Sequence, residues 1–243
     1  MPGSVVIIPA RYASERLPGK VLLSETGKFL IQHVWEQAIR ANRPSRVIIA
    51  ADDERVVKAV KSFGGEAVLT SSEHSSGTSR VAEVARDLDA EIVVDLQADE
   101  PEIEPQSIDL LIDALSNSSD TNVATLAARL RDYSLLENPN LVKVVIDLSG
   151  NALYFSRSEI PYERNYVEGG DYFFAHIGIY AYRREFLLKL VQWEPTILEK
   201  VEKLEQLRIL EHGYRIRVVI IDKFHRGIDT PEDYKEFTER QKK

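Results

Sequence analysis

Four short apolar runs, Val5–Pro9, Arg46–Ala51, Glu66–Leu69 and Ile92–Leu96, dominate the first hundred residues, with helical stretches between them. Such runs form parallel strands covered on both faces, because only a crossover helix can return the chain to the same end of a sheet. Leu30, Ile31, Val34, Trp35, Ala38 and Ile39 share one helical face, and Asp53–Phe63 is a second helix ended by Gly64 and Gly65. Further helices are predicted over Thr78–Leu88, Gln106–Leu115, Arg184–Val191, Thr196–Glu211 and Pro231–Lys242. Strands crowd between residues 123 and 182, as Val123–Ala127, Val142–Asp147, Leu153–Ser156 and Ile177–Tyr182, and a last one follows at Arg217–Ile221. Their short connections predict antiparallel additions. The expectation is a single α/β domain over residues 1–243, with a mostly parallel sheet, helices on both faces and an antiparallel elaboration in its second half.

Composition narrows what such a domain can do. With no cysteine, the chain has no disulfide framework, thiolate zinc site, iron–sulfur cluster or cysteine nucleophile. Acidic residues outnumber basic ones 39 to 31, for a net charge of −8, which argues against nucleic acid or a membrane surface as partner. An anionic small molecule stays open, because a local basic patch can override the global sign. Val5–Ile8 is too short for a signal-peptide core, and no run approaches the roughly 18 apolar residues of a membrane span. A soluble, cytoplasmic protein is expected.

Ligands of such sheets sit beyond the carboxyl ends of the strands. The first strand leads into Pro9, Ala10, Arg11 and on through Ser14 and Arg16 to Gly19-Lys20, a basic loop with small residues that suits a polyphosphate. It is neither a P-loop nor a dinucleotide fingerprint. The fourth strand leads into Gln97-Ala98-Asp99-Glu100-Pro101, where Asp99 is placed to hold Mg²⁺ and Glu100, Glu102 and Glu104 to face the dipole of the next helix. Gly227-Ile228-Asp229-Thr230-Pro231 reads as a helix start, with Asp229 or Thr230 as cap, and Asp229 is a second carboxylate for the same ion. In His74-Ser75-Ser76-Gly77-Thr78-Ser79-Arg80, Thr78 can cap the helix, while Arg80 opposes the dipole and so points to another partner, such as a base carbonyl or phosphate. Val201, Glu205 and Ile209 are spaced four apart, which sets Glu205 on an apolar stripe; Glu205-Gln206 reads equally well as a sugar-binding pair or as part of a buried ion pair. His176, alone in an apolar strand, reads more readily as a hydrogen-bonded core residue than as a ligand.

Together these segments resemble the CMP-Kdo synthetases, the 3-deoxy-manno-octulosonate cytidylyltransferases. The resemblance runs from Ile8-Pro9-Ala10-Arg11 to Gly227–Asp233. It includes Asn138-Pro139-Asn140, Val142–Val145, Ala152–Arg157, His176–Tyr180 and Glu205–Arg208, and departs where the family's usual glycine is Ala98. Little consequence is expected there unless that position needs a positive φ. The resemblance implies a Rossmann-like nucleotidyltransferase fold, with a nucleotide-binding half over about residues 1–120. A sugar-binding and dimerisation half follows over about 121–220, and 221–243 bring back the metal loop and a terminal helix. It implies CTP and Kdo as substrates, CMP-Kdo and pyrophosphate as products, Mg²⁺ as cofactor, a homodimer and a role in lipopolysaccharide synthesis. Arg11, Lys20, Asp99 and Asp229 would be catalytic, the two aspartates as metal ligands. Pro9, Ala10, Arg11, Ser14, Lys20, His74, Ser76, Gly77, Arg80 and Gln97 would bind nucleotide. Gln97, Arg157, His176, Tyr180, Glu205 and Gln206 would bind Kdo, with Arg157 on the sugar carboxylate. Tyr154–Arg157 and Glu205–Arg208 favour Kdo over sialic acid; a cytidylyltransferase for another acid sugar, 8-amino-Kdo or sialic acid, and a non-catalytic nucleotide-binding regulator are the alternatives.

Overall fold

β1 (Ser4–Ala10) is buried at every residue and forms the centre of the parallel half of a nine-stranded sheet. The computed structural model describes residues 3–14, 16–168, 171–223 and 227–242. β1 pairs in parallel with β2 (Arg46–Ala51) and β4 (Ile92–Asp95), and β2 with β3 (Glu66–Leu69). α1 (Leu30–Ala38), α2 (Glu54–Ser62) and α3 (Gly77–Arg86) make the crossovers. α4 (Pro105–Ser116) then leads to β5 (Val123–Arg129). One apolar cluster holds Val6, Ile8, Ile31, Val34, Ile49 and Val94, and a second holds Val5, Ile7, Ile48, Val81 and Val93. Alternate β1 residues thus feed opposite cores, as expected of a sheet covered on both faces.

The second half adds the hairpin of β6 (Lys143–Ile146) and β7 (Ala152–Ser156), the long β8 (Phe174–Arg183) and β9 (Arg217–Ile221). β8 lies antiparallel between β4 and β5, giving the order β3-β2-β1-β4-β8-β5-β9. The antiparallel elaboration is therefore inserted within the sheet. β4 stops opposite Tyr180 and β6 starts opposite Ala175, so residues 177–179 of β8 lie between its two partners on that side. On the other side the β5 register shifts between Thr125 and Leu126. The Thr125 hydroxyl sits there, 2.9 Å from both the Ile179 carbonyl and His176 Nε2.

Two local expectations are corrected. The helix predicted over Thr196–Glu211 is two helices, α6 (Ile197–Glu202) and α7 (Gln206–Glu211), separated at Lys203 with φ 56°. Val201 is 75% exposed, so the stripe proposed through Glu205 does not exist, and Glu205 instead occupies the position before α7. Spacing alone could not reveal a left-handed residue that reorients everything after it. The cap of α3 is Ser76, in reciprocal hydrogen bonds with Ser79, and not Thr78. α5 (Arg184–Leu190) and α8 (Pro231–Gln241, capped by Thr230) follow the sequence closely.

Candidate active site

The break beside β8 opens into a cleft of about 570 Å³ at the carboxyl ends of the strands. Two loops carry its acidic end. Gly227 brings them together: a Cβ there would meet Glu100 Oε1 at 3.1 Å, and the neighbouring Ile228 amide donates to the Asp99 carbonyl at 2.8 Å. Asp99 and Asp229 consequently face one point. Lys20 Nζ occupies it, 2.8 Å from Asp99 Oδ2, 3.2 Å from Asp229 Oδ1 and 2.8 Å from the Ile228 carbonyl. Arg16 adds a 3.0 Å ion pair to Asp229. Burial opposes the Lys20 charge, but Asp99 and Asp229 outweigh it and hold its pKa above the ordinary lysine value. Burial, with Asp99 and Asp229, pushes the neighbouring Glu100 well above the carboxylate range.

Two hard carboxylates converging on one cationic position, beside an open cleft, suit Mg²⁺, which needs few protein ligands when phosphate oxygens complete its shell. Among the described residues no cluster of three or more His, Cys, Asp or Glu surrounds any point. Glu104 occupies the N-cap position of α4 without a side-chain cap hydrogen bond and pairs with Lys223, while Glu102 pairs with Arg240.

The basic loop after β1 divides its residues. Pro9 and Ala10 are the last strand residues, Arg11 is exposed and Ser14 half-buried. The α3 N-terminus closes in from the other side, where a Cβ on Gly77 would meet Pro9 Cγ and Gln97 Oε1, each at 3.2 Å. Any larger residue there would have to push Pro9 or the Gln97 amide aside by a few tenths of an ångström. Ser76 is engaged in its cap, and His74 bonds Glu83. Arg80 is fully buried; its Nη1 donates to Thr70 Oγ1 at 2.6 Å and the Ser71 carbonyl at 3.0 Å, and Asp52 lies 3.6 Å from Nη2. Among the described residues its Nε and Nη2 have no hydrogen-bond acceptor. Ala98 is buried and Lys203 is the only non-glycine residue with positive φ among the described residues, so the departure at Ala98 brings no backbone strain.

At the opposite end of the cleft lie Gln97, His176, Tyr180, Glu205 and Gln206, five of the six residues expected there. Burial drives His176 down to about 3, so its ring is neutral. With the Thr125 proton on the Ile179 carbonyl, that ring donates from Nε2 and keeps Nδ1 as an acceptor. Burial raises Glu205 against the opposing Arg208 charge and the Thr78 hydrogen bond. The sixth residue, Arg157, stands behind the rim: Nε donates to the Glu202 carbonyl at 2.7 Å and Nη1 to the Pro139 carbonyl at 2.9 Å. It ties the loop holding Asn138 and Asn140, both cleft residues, to the end of α6.

Sequence reasoning singled out neither Asp95 nor Lys143 for a role. Asp95 lies under the cleft, wholly buried, and burial followed by the Glu205 charge raises it from 3.8 to about 8. The buried Lys143 ammonium donates to the Asn138, Leu141 and Arg157 carbonyls at 3.1, 2.7 and 2.5 Å. A charged residue inside an otherwise apolar strand was the available signal for both.

A family profile described as Cytidylyltransferase matches residues 5–216. A 3-deoxy-manno-octulosonate cytidylyltransferase of Geotalea daltonii is 49% identical over 97% of each chain. Another from Geotalea uraniireducens is 49% identical over 98% of each. The structure of a CMP:2-keto-3-deoxy-manno-octonic acid synthetase complexed with CTP has a TM-score of 0.94 at 41% identity, over 99% of this chain and 98% of that one. The 4-diphosphocytidyl-2C-methyl-D-erythritol synthase from Anaerococcus prevotii shares the fold, with a TM-score of 0.67 at 14% identity over 100% of this chain and 99% of that one. With a family profile over residues 5–216 and near-half identity to relatives over the full length, the chain belongs to the 3-deoxy-manno-octulosonate cytidylyltransferases, nucleotidyltransferases by family.

Proposed function

We propose that this chain joins CTP to Kdo, releasing pyrophosphate and forming CMP-Kdo for lipopolysaccharide synthesis in the cytoplasm. The observation that carries the reading is the convergence of Asp99 and Asp229 on one cationic position between a basic loop and a polar pocket. The anomeric hydroxyl oxygen of Kdo forms a bond to the α-phosphorus as the bond from that phosphorus to the α–β bridging oxygen breaks; pyrophosphate departs with that oxygen, and the hydroxyl proton passes to water. Such a displacement needs positioning and charge neutralisation more than covalent help. Asp99 and Asp229 would hold Mg²⁺, which when bound neutralises phosphate charge and makes the attacking hydroxyl more acidic.

Arg11, Ser14 and Lys20 face the triphosphate on this reading, with Lys20 exchanging its two carboxylates for phosphate oxygens. Pro9, Ala10, His74, Ser76, Gly77 and Arg80 serve the nucleotide end. The Arg80 Nε and Nη2 donors, which among the described residues lack a hydrogen-bond acceptor, support that assignment. Gln97, His176, Tyr180, Glu205 and Gln206 read the sugar. Arg157 keeps its assignment to the sugar carboxylate and, while its guanidinium holds Pro139, positions the rim loop. Exposed Tyr162, Tyr166 and Val167 support a homodimer through the second half.

Pyrophosphate release with CTP, Mg²⁺ and a panel of acid sugars tests the assignment. Turnover with Kdo is expected; turnover with sialic acid and none with Kdo overturns it. Glu205→Gln is expected to raise the KM for sugar more than that for CTP, and equal effects with a lower Tm would return Glu205 to a purely structural role.

A further inference from the structure

Beneath the sugar end of the cleft, one hydroxyl stands between two carboxyl groups. Thr78 Oγ1 is 3.1 Å from Glu205 Oε2 and 3.4 Å from Asp95 Oδ2. A hydroxyl has one proton to donate, so with both carboxyls ionised one of these contacts sets lone pair against lone pair. One added proton satisfies the row. Its place is fixed by the surroundings. Glu205 faces the cleft and has Arg208 4.0 Å from Oε1. Asp95 is wholly buried and faces Thr78 from α3, Gln97 and Asp99 from the segment after β4, Tyr180 and Tyr182 from β8, and Glu205 from the position before α7. The charges among these are negative, and Arg208 lies beyond Glu205, held by Glu199 at 2.8 Å. The other oxygen of Asp95 accepts from Gln97 Nε2 at 2.6 Å, which fixes the orientation of the Gln97 amide.

We propose that Asp95 is a neutral carboxylic acid that donates through Thr78 to the Glu205 carboxylate and holds Gln97 in place, a positioning residue that admits the anionic sugar by keeping a second negative charge out of the cleft floor. Its elevated proton affinity, about 8, agrees with this arrangement. The proposal rests on the sugar assignment of the cleft, and its ionisation can be measured without substrate. In wild type the KM for Kdo rises about tenfold between pH 7.5 and 9.5, more than the KM for CTP does. Asp95→Asn keeps the shape, the neutrality and the acceptor for Gln97. It stays within about threefold of wild type in kcat at pH 7.5, and its sugar KM is flat over that range. A drop in kcat beyond about thirtyfold in a folded Asp95→Asn, or an unchanged pH rise, overturns the proposal. Should that variant fail to fold, carbon-13 NMR of aspartate-labelled wild type decides, by the presence or absence of a carboxyl titrating between pH 7 and 9. An Asp95 signal already ionised at pH 6 overturns the proposal. Failure of Kdo turnover with a carboxyl titrating near pH 8 overturns the substrate reading and leaves the buried acid supported.

Discussion

Lys20 and the two aspartates it joins form a charge arrangement that holds together without metal, because an ammonium fills the position where two carboxylates would otherwise repel. Asp99→Asn or Asp229→Asn is expected to cost about 2 kcal/mol or more of transition-state stabilisation, over tenfold in kcat with CTP and Kdo. A near-normal kcat in initial-rate measurements would remove that residue from the metal site. Asp95 gives a second prediction through stability. Folding raises its pKa from 3.8 to about 8, so its protonated contribution is fully present below about pH 4 and is lost as pH rises towards 8. His176, lowered from 6.5 to about 3, acts oppositely: its neutral form stabilises above pH 6.5, and that support is lost as pH falls towards 3. The two trends oppose each other between about pH 4 and 6.5, and Asp95 acts without His176 from there to 8. In that upper window Asp95 contributes a fall of up to about 1.4 kcal/mol per pH unit, and urea midpoints should show that contribution lost in Asp95→Asn.

Elements carry the next set of constraints. β6 depends on Lys143, whose ammonium gathers three carbonyls from the rim loop and the end of β7. Lys143→Met would leave those carbonyls without a donor. The expected loss is about 3 kcal/mol in urea unfolding, with a higher sugar KM because the Asn138–Leu141 loop lines the cleft. The left-handed Lys203 separates α6 from α7 and presents its own carbonyl and that of Glu202 to Arg157. Lys203→Gly should therefore stabilise the fold by roughly 1 kcal/mol in the same measurement, since glycine adopts that backbone without the Cβ conflict. The failure to read this break from sequence has the same origin: Ile197, Leu198 and Val201 continue a helical pattern, yet all three are exposed. Apolar spacing reports burial only when the helix packs on the core.

Across the whole molecule, the net charge of −8 extends into the cleft, whose lining carries Asp95, Asp99, Glu100, Glu205, Asp229 and Asp233 against Arg16, so any positive charge there is local. Arg16 and Lys20 pair with Asp229 and Asp99 at one end of the cleft, and Arg80 stands buried in the first turn of α3. Among the described residues no helix is long and apolar enough to cross a membrane. If the second half forms a dimer, sedimentation equilibrium should give twice the mass of 27.6 kDa, and Tyr166→Glu with Val167→Asp should reduce it to one chain. A wild type that sediments as a monomer would remove the dimer.

The sequence alone determined the strand and helix alternation, the parallel first half and most of the cleft residues, because these depend on local periodicity and on loops that follow buried strands. Gly77, Asp99 and Asp229 were legible for that reason. Tertiary structure decided what each side chain meets. It set Lys20 between the two aspartates, turned Arg157 onto carbonyls, split α6 from α7 and placed Asp95 beneath Thr78 and Glu205. Asp95, Thr78 and Glu205 come from three separate segments, and a proton shared among them depends on distances that exist only once β4, α3 and the start of α7 have packed together.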